Sequence, residues 1–249
     1  MKKHIRLITP ITTKGSWRSE HLEALEASGC EISVTEIDAG PASIECEFDE
    51  MLAAPDTVAK IIAAERERVD AVVMDCMGDP GLRAAREAVE IPVLGPCETS
   101  MHLAAMLGHR FSLVTVLQRL RPFFENRARQ YGVYEKLASV RSIETPVLDL
   151  ESSAEATAHA LTEQAILAVE GDRADVILLG CTGLLGCAER VRGTLVGKGY
   201  DIPVIDPLPV TVRIAAAIAG VGLSHSKLTY PTPPEKPTIG FSQPELSRR

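Results

Sequence analysis

Short apolar segments alternate with longer amphipathic segments along most of the chain. Residues 5–9 form an apolar run, and residues 31–37 alternate polar and apolar side chains, so both segments predict β-strands. Apolar side chains recur at helical spacing within residues 57–68, which predicts a helix that Asp56 caps. Repeated alternation of strands and helices is typical of an α/β fold with mainly parallel sheets.

One pattern occurs twice in the chain. Residues 69–75 have the composition of a buried strand, and Cys76 follows at the strand end, before a Gly-Asp-Pro-Gly turn and a helix. Residues 174–180 have the same composition, and Cys181 follows at the equivalent place. Each cysteine is followed two residues later by a glycine. After each helix comes a matching segment, Glu90-Ile-Pro-Val-Leu-Gly-Pro96 and then Asp201-Ile-Pro-Val-Ile-Asp-Pro207. We therefore expect two similar halves that each place a thiol at a strand end.

The other predicted elements complete this pattern. Helices are predicted for residues 17–27 with Ser16 as cap, 82–89, 100–107, 119–131, 154–169 with Ser152 or Ser153 as cap, and 210–219. Strands are predicted for residues 91–94, for 110–116, for either 138–143 or 146–150, and for 202–205. Residues 40–49 show no period and predict a loop long enough to carry function.

Charge and cysteine content exclude several kinds of protein. The net charge is −8 without a long basic run, so we expect neither a nucleic acid nor a membrane surface as partner. No apolar run reaches the ~18 residues of a membrane span, and the first residues resemble a strand rather than a signal peptide. A cytoplasmic protein is expected, with its six cysteines as free thiols. Zinc is not expected, because no Cys-x-x-Cys pair or ligand-spaced histidine cluster occurs.

The two repeated cysteines suggest acid–base chemistry. Ligands of parallel sheets bind outside the carboxyl ends of the strands, where both cysteines are predicted. A following helix would favour the thiolate through its dipole, and Gly78 and Gly183 would let the backbone approach an anionic oxygen. A thiolate base and a thiol acid could then invert a carbon atom next to a carbonyl group without a cofactor.

A packing role is the alternative for each thiol. Free cysteine is among the most buried residue types, so one cysteine after a strand is more often structural. Packing does not require both halves to repeat the cysteine with its glycine, and the pair therefore favours function. Cys30, Cys46 and Cys187 lack this context, and packing is also the expected role of Cys97. Asp79 is either a helix cap or a substrate ligand, and Glu98 and Thr99 either satisfy backbone groups or touch a ligand.

Several short segments together match one known family. They are Cys76-Met-Gly-Asp-Pro-Gly-Leu82, Gly180-Cys-Thr-Gly183, Gly40-Pro-Ala-Ser-Ile-Glu45 with Phe48-Asp-Glu50, Phe111-Ser-Leu-Val-Thr115, Ala138-Ser-Val-Arg141, Pro146-Val-Leu-Asp-Leu-Glu151 and Asp206-Pro207. With them the chain resembles the hydantoin racemase branch of the aspartate/glutamate racemase superfamily, a branch that includes allantoin racemases. The likeness covers about residues 4–222.

The resemblance implies a fold and an activity. It implies two pseudo-symmetric α/β lobes, the first formed by residues 1–96 and 208–223 and the second by 97–207. Residues 224–249 have no counterpart in the family, and their richness in Pro, Ser and Lys without an apolar period predicts a tail that is extended or disordered. Cys76 and Cys181 would oppose each other in the cleft between the lobes and racemise 5-monosubstituted hydantoins without a cofactor. A homo-oligomer is also implied. The residues expected at the substrate are Pro10, Ile11, Ser43, Ile44, Met77, Gly78, Asp79, Thr115, Thr182 and Gly183.

Departures from the branch leave the substrate open. Thr9-Pro-Ile-Thr12 stands where the branch has an Asn-Pro-Asn-like segment, Met77 replaces an aromatic residue, and Cys97 is unusual. Few basic residues flank the predicted site, with Arg83 the nearest in sequence, which favours a neutral ring over a charged amino acid. The alternatives are an aspartate or glutamate racemase, a related decarboxylase or cis–trans isomerase, and a non-catalytic ligand-binding protein with two lobes.

Overall fold

The computed structural model describes residues 2–14, 17, 19–26, 29–150, 152, 154–237 and 239. The chain divides into two compact units. The first unit takes in Met1–Ala42, Phe48–Gly95 and Thr211–Arg249, and the second takes in Ser43–Glu47 and Pro96–Val210. The predicted caps Ser16 and Ser153 lie outside the described residues.

The first unit is built on a parallel four-stranded sheet. Its strands are β1 (His4–Thr9), β2 (Glu31–Glu36), β3 (Ala71–Met74) and β4 (Val93–Leu94), in the spatial order β2-β1-β3-β4. Its helices are α1 (Ser19–Glu26), most of α2 (Glu47–Arg66) and α3 (Leu82–Ala88). The four residues of β3 are all buried, which explains their uniformly apolar sequence.

The second unit repeats this sheet. Its strands are β5 (Phe111–Thr115), β6 (Leu137–Ser142), β7 (Val176–Leu179) and β8 (Val204–Ile205), again parallel and in the order β6-β5-β7-β8. Its helices are α4 (Pro96–Leu107), α5 (Arg121–Gln130), α6 (Ala154–Asp172), α7 (Cys187–Gly197) and the start of α8 (Pro207–Gly220). The predicted α/β fold of two repeated parallel sheets is confirmed.

The strands that precede the two cysteines hold equivalent central places. β3 pairs with β1 so that Met74 lies beside Ile8, and β7 pairs with β5 so that Leu179 lies beside Val114. In the first unit, Ile8 and Met74 pack into a core with Ile61 of α2. The carboxyl ends of paired parallel strands meet at one sheet edge, so each cysteine leaves its sheet at that edge.

Helix α2 corrects one sequence prediction. The helix was expected to begin after Asp56, but it begins at Glu47 and continues through Pro55. Burial of Ala53 and Ile61 on one side extends the helix across the proline, because tertiary packing overrides local preference. The carboxylate of Asp56 does not cap a helix. It accepts hydrogen bonds from the backbone N–H groups of Asp38 at 2.6 Å and Ala39 at 3.1 Å.

Other helices and strands differ from their predicted bounds by fewer residues. α4 begins at Pro96, so Cys97, Glu98 and Thr99 lie in its first turn rather than before it. Of the two segments considered for the strand after α5, 137–142 forms β6, whereas Val147–Asp149 forms a 3-10 turn. Among the described residues, no helix combines the length and apolar character needed to cross a membrane.

Candidate active site

Cys76 lies directly beyond the carboxyl end of β3. Asp75 follows the strand, and its N–H group still bonds the carbonyl oxygen of Ile8 at 2.8 Å, so the sheet guides the chain up to the cysteine. The backbone N–H of Gly78 donates to the Cys76 Sγ atom at 3.3 Å. A hydrogen bond to sulfur favours the thiolate form. Cys76 is half-buried, so its thiol is also reachable.

Cys181 holds the equivalent place beyond β7. Gly180 follows the strand, and its N–H donates to the carbonyl oxygen of Val114 at 2.8 Å. A Cβ atom on Gly183 would lie 3.5 Å from the Cys181 Sγ atom and 3.2 Å from Leu150 Cδ1. A side chain at residue 183 would therefore contact the sulfur and press on Leu150, and the glycine avoids both. Cys181 is half-buried as well.

Each cysteine begins a short turn. The N–H of Asp79 bonds the Cys76 carbonyl oxygen at 3.1 Å, and the N–H of Leu184 bonds that of Cys181 at 3.2 Å. After Cys76, α3 begins at Leu82, as predicted from the Gly-Asp-Pro-Gly turn. Cys181 is the N-cap residue of the 3-10 helix Thr182–Leu184, and α7 begins only at Cys187. Neither thiol therefore lies at the N-terminus of an α-helix, contrary to the expectation of a helix dipole beside each.

Both turns also end alike. Gly81 and Gly186 each precede an α-helix in the left-handed region, with φ of 75° and 85°. Glycine adopts this conformation without steric cost, which explains its presence before both helices. The repeated Cys-x-Gly pattern of the sequence thus belongs to turns of the same length, which end in the same left-handed glycine, although Thr182–Leu184 forms a 3-10 helix and the first turn does not.

The first unit brings five predicted substrate residues to the edge where Cys76 lies. Pro10 and Ile11 follow β1, and Met77, Gly78 and Asp79 follow the cysteine. Met77 and Asp79 are almost completely buried, with 3% and 2% of their surface exposed. Substrate contact by these residues stays a prediction.

The second unit brings the remaining five to its own edge. Thr115 ends β5, is fully buried and donates to the Gly180 carbonyl oxygen at 3.4 Å. Thr182 and Gly183 lie in the turn after Cys181. Ser43 and Ile44 group with this unit, although they lie far away in sequence. Their roles at a substrate also stay predictions.

Glu45 explains how residues 43–47 reach the second unit. Its Oε1 atom accepts a hydrogen bond from the backbone N–H of Val147 at 2.7 Å. Val147 begins the 3-10 turn that leads to Leu150, the residue packed beside Gly183. The 43–47 loop is thereby fastened to a turn that itself reaches the Cys181 segment. Nothing in the spacing of the sequence indicated this bond.

A hydrogen-bonded chain that sequence reasoning missed lies beside Cys76. The indole N–H of Trp17 donates to Thr9 Oγ1 at 2.9 Å, and the Thr9 hydroxyl donates to Asp75 Oδ2 at 3.0 Å. Thr9 ends β1 and Asp75 immediately precedes the cysteine. The available signal was the polar residue at the end of each of two neighbouring buried strands.

Asp206 is the second group that sequence reasoning missed as part of a site. It follows β8, and its Oδ2 atom accepts the Gly186 N–H at 2.7 Å. Burial raises the pKa of its carboxyl group to about 6, although the backbone N–H groups of Gly186 and Leu208 act in the opposite direction. Burial and the nearby Asp206 charge also raise the pKa of the Cys187 thiol.

The other cysteines and the acidic groups do not suggest a further centre. Cys97 is fully buried, and its Sγ atom lies 3.9 Å from Met101 Sδ, as the packing interpretation expects. Within the part of the chain that the structure describes, no three His, Cys, Asp or Glu side chains are grouped so that they could hold a metal ion.

Comparison with known proteins identifies the class that shares this fold. The chain belongs to the Asp/Glu/hydantoin racemase family, because the model described as "Asp/Glu/Hydantoin racemase" matches residues 5–215. The protein is accordingly an enzyme of the racemase type, an isomerase.

Three relatives lie in the hydantoin and allantoin part of the family. A hydantoin racemase from Pseudomonas sp. (strain NS671) is 38% identical over 239 residues, which cover 95% of this chain and 94% of the relative. A hydantoin racemase from Rhizobium meliloti is 35% identical over 241 residues, which cover 95% of this chain and 98% of the relative. The solved allantoin racemase from Klebsiella pneumoniae superposes with a TM-score of 0.87 at 34% identity, and the match covers 96% of this chain and 97% of that structure. The resemblance seen in the sequence is confirmed.

Proposed function

We propose that the protein racemises 5-monosubstituted hydantoins, allantoin-like ring substrates, by proton transfer between Cys76 and Cys181. The observation that carries this proposal is the repeated turn. Each unit ends a central strand in a half-buried cysteine whose sulfur lies beside a glycine two residues later. The names of the relatives support the substrate class.

The proposed reaction needs only two protonation states of the thiols. The thiolate of one cysteine removes the proton from C5 of the ring, and the bonding electron pair moves onto the adjacent carbonyl oxygen. The thiol of the other cysteine then donates its proton to the opposite face of C5, and the carbonyl bond reforms. The two sulfurs have exchanged protonation states, and the product is the mirror-image hydantoin. No cofactor enters this scheme.

Backbone donors near the cysteines support the enolate-like intermediate. The N–H of Gly78 already bonds the Cys76 sulfur, so the turn presents its donors toward the reacting side of the unit. Such preorganised donors stabilise developing negative charge without reorganisation and can supply several kcal/mol. A reference thiol pKa of ~8.5 lies close enough to neutrality for a cysteine to act as base and as acid.

The basic residues of the first unit support a neutral ring rather than an amino acid. Arg83 and Arg86 both lie against the ring of Tyr230, 5.7 Å and 5.6 Å from its centre. The Arg86 Nε–H donates to the carbonyl oxygen of Val93 at 3.1 Å. These guanidinium groups serve structural contacts, whereas a free amino acid would need a cation for its carboxylate.

Proton exchange at C5 tests the proposal. Single enantiomers of 5-substituted hydantoins are followed by proton NMR and polarimetry in deuterated buffer, with L-aspartate and L-glutamate as comparison substrates. We expect loss of rotation with deuterium entering C5. Cys76→Ser and Cys181→Ser should each lower racemisation at least about 100-fold, because serine is a far weaker base at neutral pH. Cys187→Ser, which removes another half-buried thiol of the second unit, should retain the wild-type rate.

The outcomes separate the alternatives. Exchange of an amino acid but of no hydantoin would overturn the substrate and keep the two-thiol chemistry. Full activity of either serine variant would overturn the two-thiol mechanism itself. Release of carbon dioxide from a malonate-type substrate, without racemisation, would favour a decarboxylase, and binding without any exchange would favour a ligand-binding protein.

We also propose a homo-oligomer that works in the cytoplasm. Phe48, Met51 and Leu52 are exposed on one face of α2, with 63%, 62% and 45% of their surface accessible. Their spacing of three and four residues forms a continuous apolar stripe of the kind that partner subunits cover.

A further inference from the structure

The two units each carry one carboxyl group at a matching place, but they supply it from different positions. Residues 76–82 align with 181–187, so Asp79 corresponds to Leu184. Residues 94–96 align with 205–207, so Gly95 corresponds to Asp206. The first unit has Asp and Gly at these two positions, and the second has Leu and Asp.

In the first unit, the carboxyl group of Asp79 fills the side-chain space of residue 95. Its Oδ2 atom lies 2.6 Å from the point that a Cβ atom on Gly95 would occupy. Asp79 is 2% exposed and adopts a left-handed backbone with φ of 52°. That conformation is unfavourable for a non-glycine residue, and other interactions of this turn must offset its cost.

In the second unit, the position equivalent to Gly95 carries a side chain of its own, and this side chain, Asp206, supplies the carboxyl group. Asp206 Oδ2 accepts the N–H of Gly186, the last residue of the cysteine turn. Its Oδ1 atom is buried without a hydrogen-bond partner among the described residues. Leu184 takes the turn position of Asp79 and is 1% exposed. A buried carboxyl group thus stands between the cysteine turn and the next strand in both units.

Packing alone does not explain this exchange. Leu184 shows that an apolar side chain fills the turn position, and Gly95 shows that the strand-end position needs no side chain. Burying a carboxyl group costs free energy, and the unpaired Oδ1 atom of Asp206 adds to that cost in the second unit. The presence of a buried carboxyl group in both units, by two different routes, indicates a requirement beside each cysteine rather than one for filling space.

We propose that Asp79 and Asp206 are positioning residues, each acting on the cysteine of its own unit. This inference rests on the proposed two-thiol function. Asp206 acts by holding the Gly186 N–H and thereby the far end of the Cys181 turn. Asp79 acts from within the turn, where its own N–H bonds the Cys76 carbonyl oxygen and its carboxyl group is locked against Gly95. Cys181 and Asp206 follow the paired strands β7 and β8, and Asp79 lies three residues after Cys76, so we expect each ionised carboxyl group to disfavour the thiolate of its unit.

Asp206 also acts on Cys187, the first residue of α7. Burial and the Asp206 charge raise the pKa of the Cys187 thiol, and Arg190 lowers it. A measurement of Cys181 must therefore distinguish it from Cys187. Peptide mass spectrometry achieves this, because the two cysteines are modified to extents that fragment ions report separately.

The test compares two variants that serve as controls for each other. Wild type, Asp206→Asn and Asp79→Asn are alkylated with iodoacetamide between about pH 6 and pH 10, and the rate at each cysteine is read by peptide mass spectrometry. Asparagine keeps the side-chain shape, and it tolerates the left-handed backbone of residue 79. Far-UV circular dichroism verifies folding, and Asp206→Ser replaces Asp206→Asn if the latter does not fold.

A crossed pattern is expected. Asp206→Asn should lower the pH midpoint of Cys181 alkylation by about half a unit and leave that of Cys76 unchanged, because one screened negative charge has been removed. Asp79→Asn should do the reverse. In both variants kcat for racemisation should fall at least about tenfold while KM changes less, since a misplaced acid or base affects the transition state.

Two results would overturn the inference. One is an unchanged alkylation profile of the cysteine in the same unit. The other is an equal shift at both cysteines in either variant, which would indicate a general change in structure. Alkylation requires no turnover, so these results remain decisive even if no hydantoin is racemised, and the two proposals fail separately.

Discussion

At the residue scale, the carboxyl group of Asp206 makes the stability of the protein depend on pH. Its pKa is about 6 in the folded protein and has an ordinary value of 3.8, so the folded state binds this proton more tightly than the unfolded state. The stability that protonation contributes is present below about pH 4 and is lost as the pH rises through about 6. At neutral pH the ionised group costs up to about 3 kcal/mol.

Asp206→Asn should therefore raise the free energy of unfolding at pH 7.5 by about 1 to 3 kcal/mol and leave it nearly unchanged at pH 4. Urea unfolding of both proteins at the two pH values measures this difference. Burial acts to raise the pKa values of Asp70 and Asp172, but their partners Lys3 and Arg141 keep both values below the ordinary one. These two carboxyl groups titrate identically in the variant and the wild type. An equal pH dependence of variant and wild type would contradict the assignment of the titration to Asp206.

The Cys181 turn makes a second residue-scale prediction. Gly183→Ala would bring a Cβ atom to 3.2 Å from Leu150 Cδ1 and 3.5 Å from the Cys181 sulfur. We expect racemisation to fall at least about tenfold with a loss of only about 1 kcal/mol in stability, because Leu150 must move and the new methyl group contacts the proposed acid or base. Steady-state kinetics and urea unfolding measure the two effects.

Gly193→Ala is the matched control. Gly193 lies inside α7, and a Cβ atom there would meet nothing within 4 Å. Alanine should stabilise this helix by about 0.5 to 1 kcal/mol and leave the rate unchanged. Equal rates for the two alanine variants would show that Gly183 does not provide room for the sulfur.

The residues of the site differ in how far the sequence predicts them. Cys76, Cys181 and their glycines follow from a repeated local pattern, which needs no knowledge of the fold. Asp206 bonds Gly186, twenty positions earlier, and only the alignment of Gly95 with Asp206 gives a signal for it. Glu45 bonds Val147 across 102 positions, and no local pattern encodes such a pair.

At the element scale, strands were predicted better than helix beginnings. The apolar runs of β3 and β7 mark buried parallel strands unambiguously, because both faces of such strands are covered. The beginning of α2 was missed because Pro55 and Asp56 have the local signature of a helix start. Packing of residues on both sides of the proline determines the longer helix, and that packing is visible only in three dimensions.

The turns after the cysteines show the same limit. The sequence predicted a turn and then a helix from Leu82 after Cys76, and α3 begins there. After Cys181 it predicted a helix directly beyond Gly183, whereas five residues separate the cysteine from α7. Glycines at residues 81 and 186 end these turns with positive φ. A glycine before a helix is compatible with several turn shapes, so its conformation could not be read from the residue type alone.

For the segment after α8, the amino-acid composition left two states open, an extended one and a disordered one. Residues 224–230, here called the C-terminal arm, have no strand or α-helix but are fastened to the first unit. Lys227 Nζ donates to the carbonyl oxygens of Arg86, Glu87 and Val89, at 3.1, 3.1 and 2.7 Å. These carbonyl groups lie at the end of α3, where cations are favoured. Residues 224–230 are ordered against the first unit, but they are not simply extended, because the N–H groups of Thr229 and Tyr230 bond the Ser226 carbonyl oxygen in a turn.

At the scale of the whole molecule, the repeat predicted the two sheets because the repeated pattern consists of residues that follow one another directly in the sequence. The order of strands is the same in both units, as the matching sequences require. The grouping of Ser43–Glu47 with the second unit could not be predicted in this way, and the prediction that residues 208–223 belong to the first lobe came from the family resemblance rather than from the repeat. These features depend on contacts between residues that are distant in sequence, and such contacts leave no periodic signal.

The C-terminal arm makes the first unit depend on residues from the end of the chain. The side chain of Ser224 donates to the carbonyl oxygen of Glu90, and the N–H of Val93 donates to His225 Nε2 at 2.9 Å. Tyr230 packs against Arg83 and Arg86. With Lys227, these contacts join the end of α3 to the edge strand β4, and they cover the region that follows the Cys76 turn.

Two truncations test this dependence. Removal of residues 224–249 should lower the free energy of unfolding by about 2 to 4 kcal/mol, since several part-buried hydrogen bonds of about 1 kcal/mol each are lost. Removal of residues 231–249 keeps the contacts described above and should cost less than about 1 kcal/mol. Urea unfolding measures both values, and hydrogen exchange should show faster opening of residues 82–94 only in the longer truncation. Equal stability of the two truncated proteins would show that the arm lies on the first unit without stabilising it.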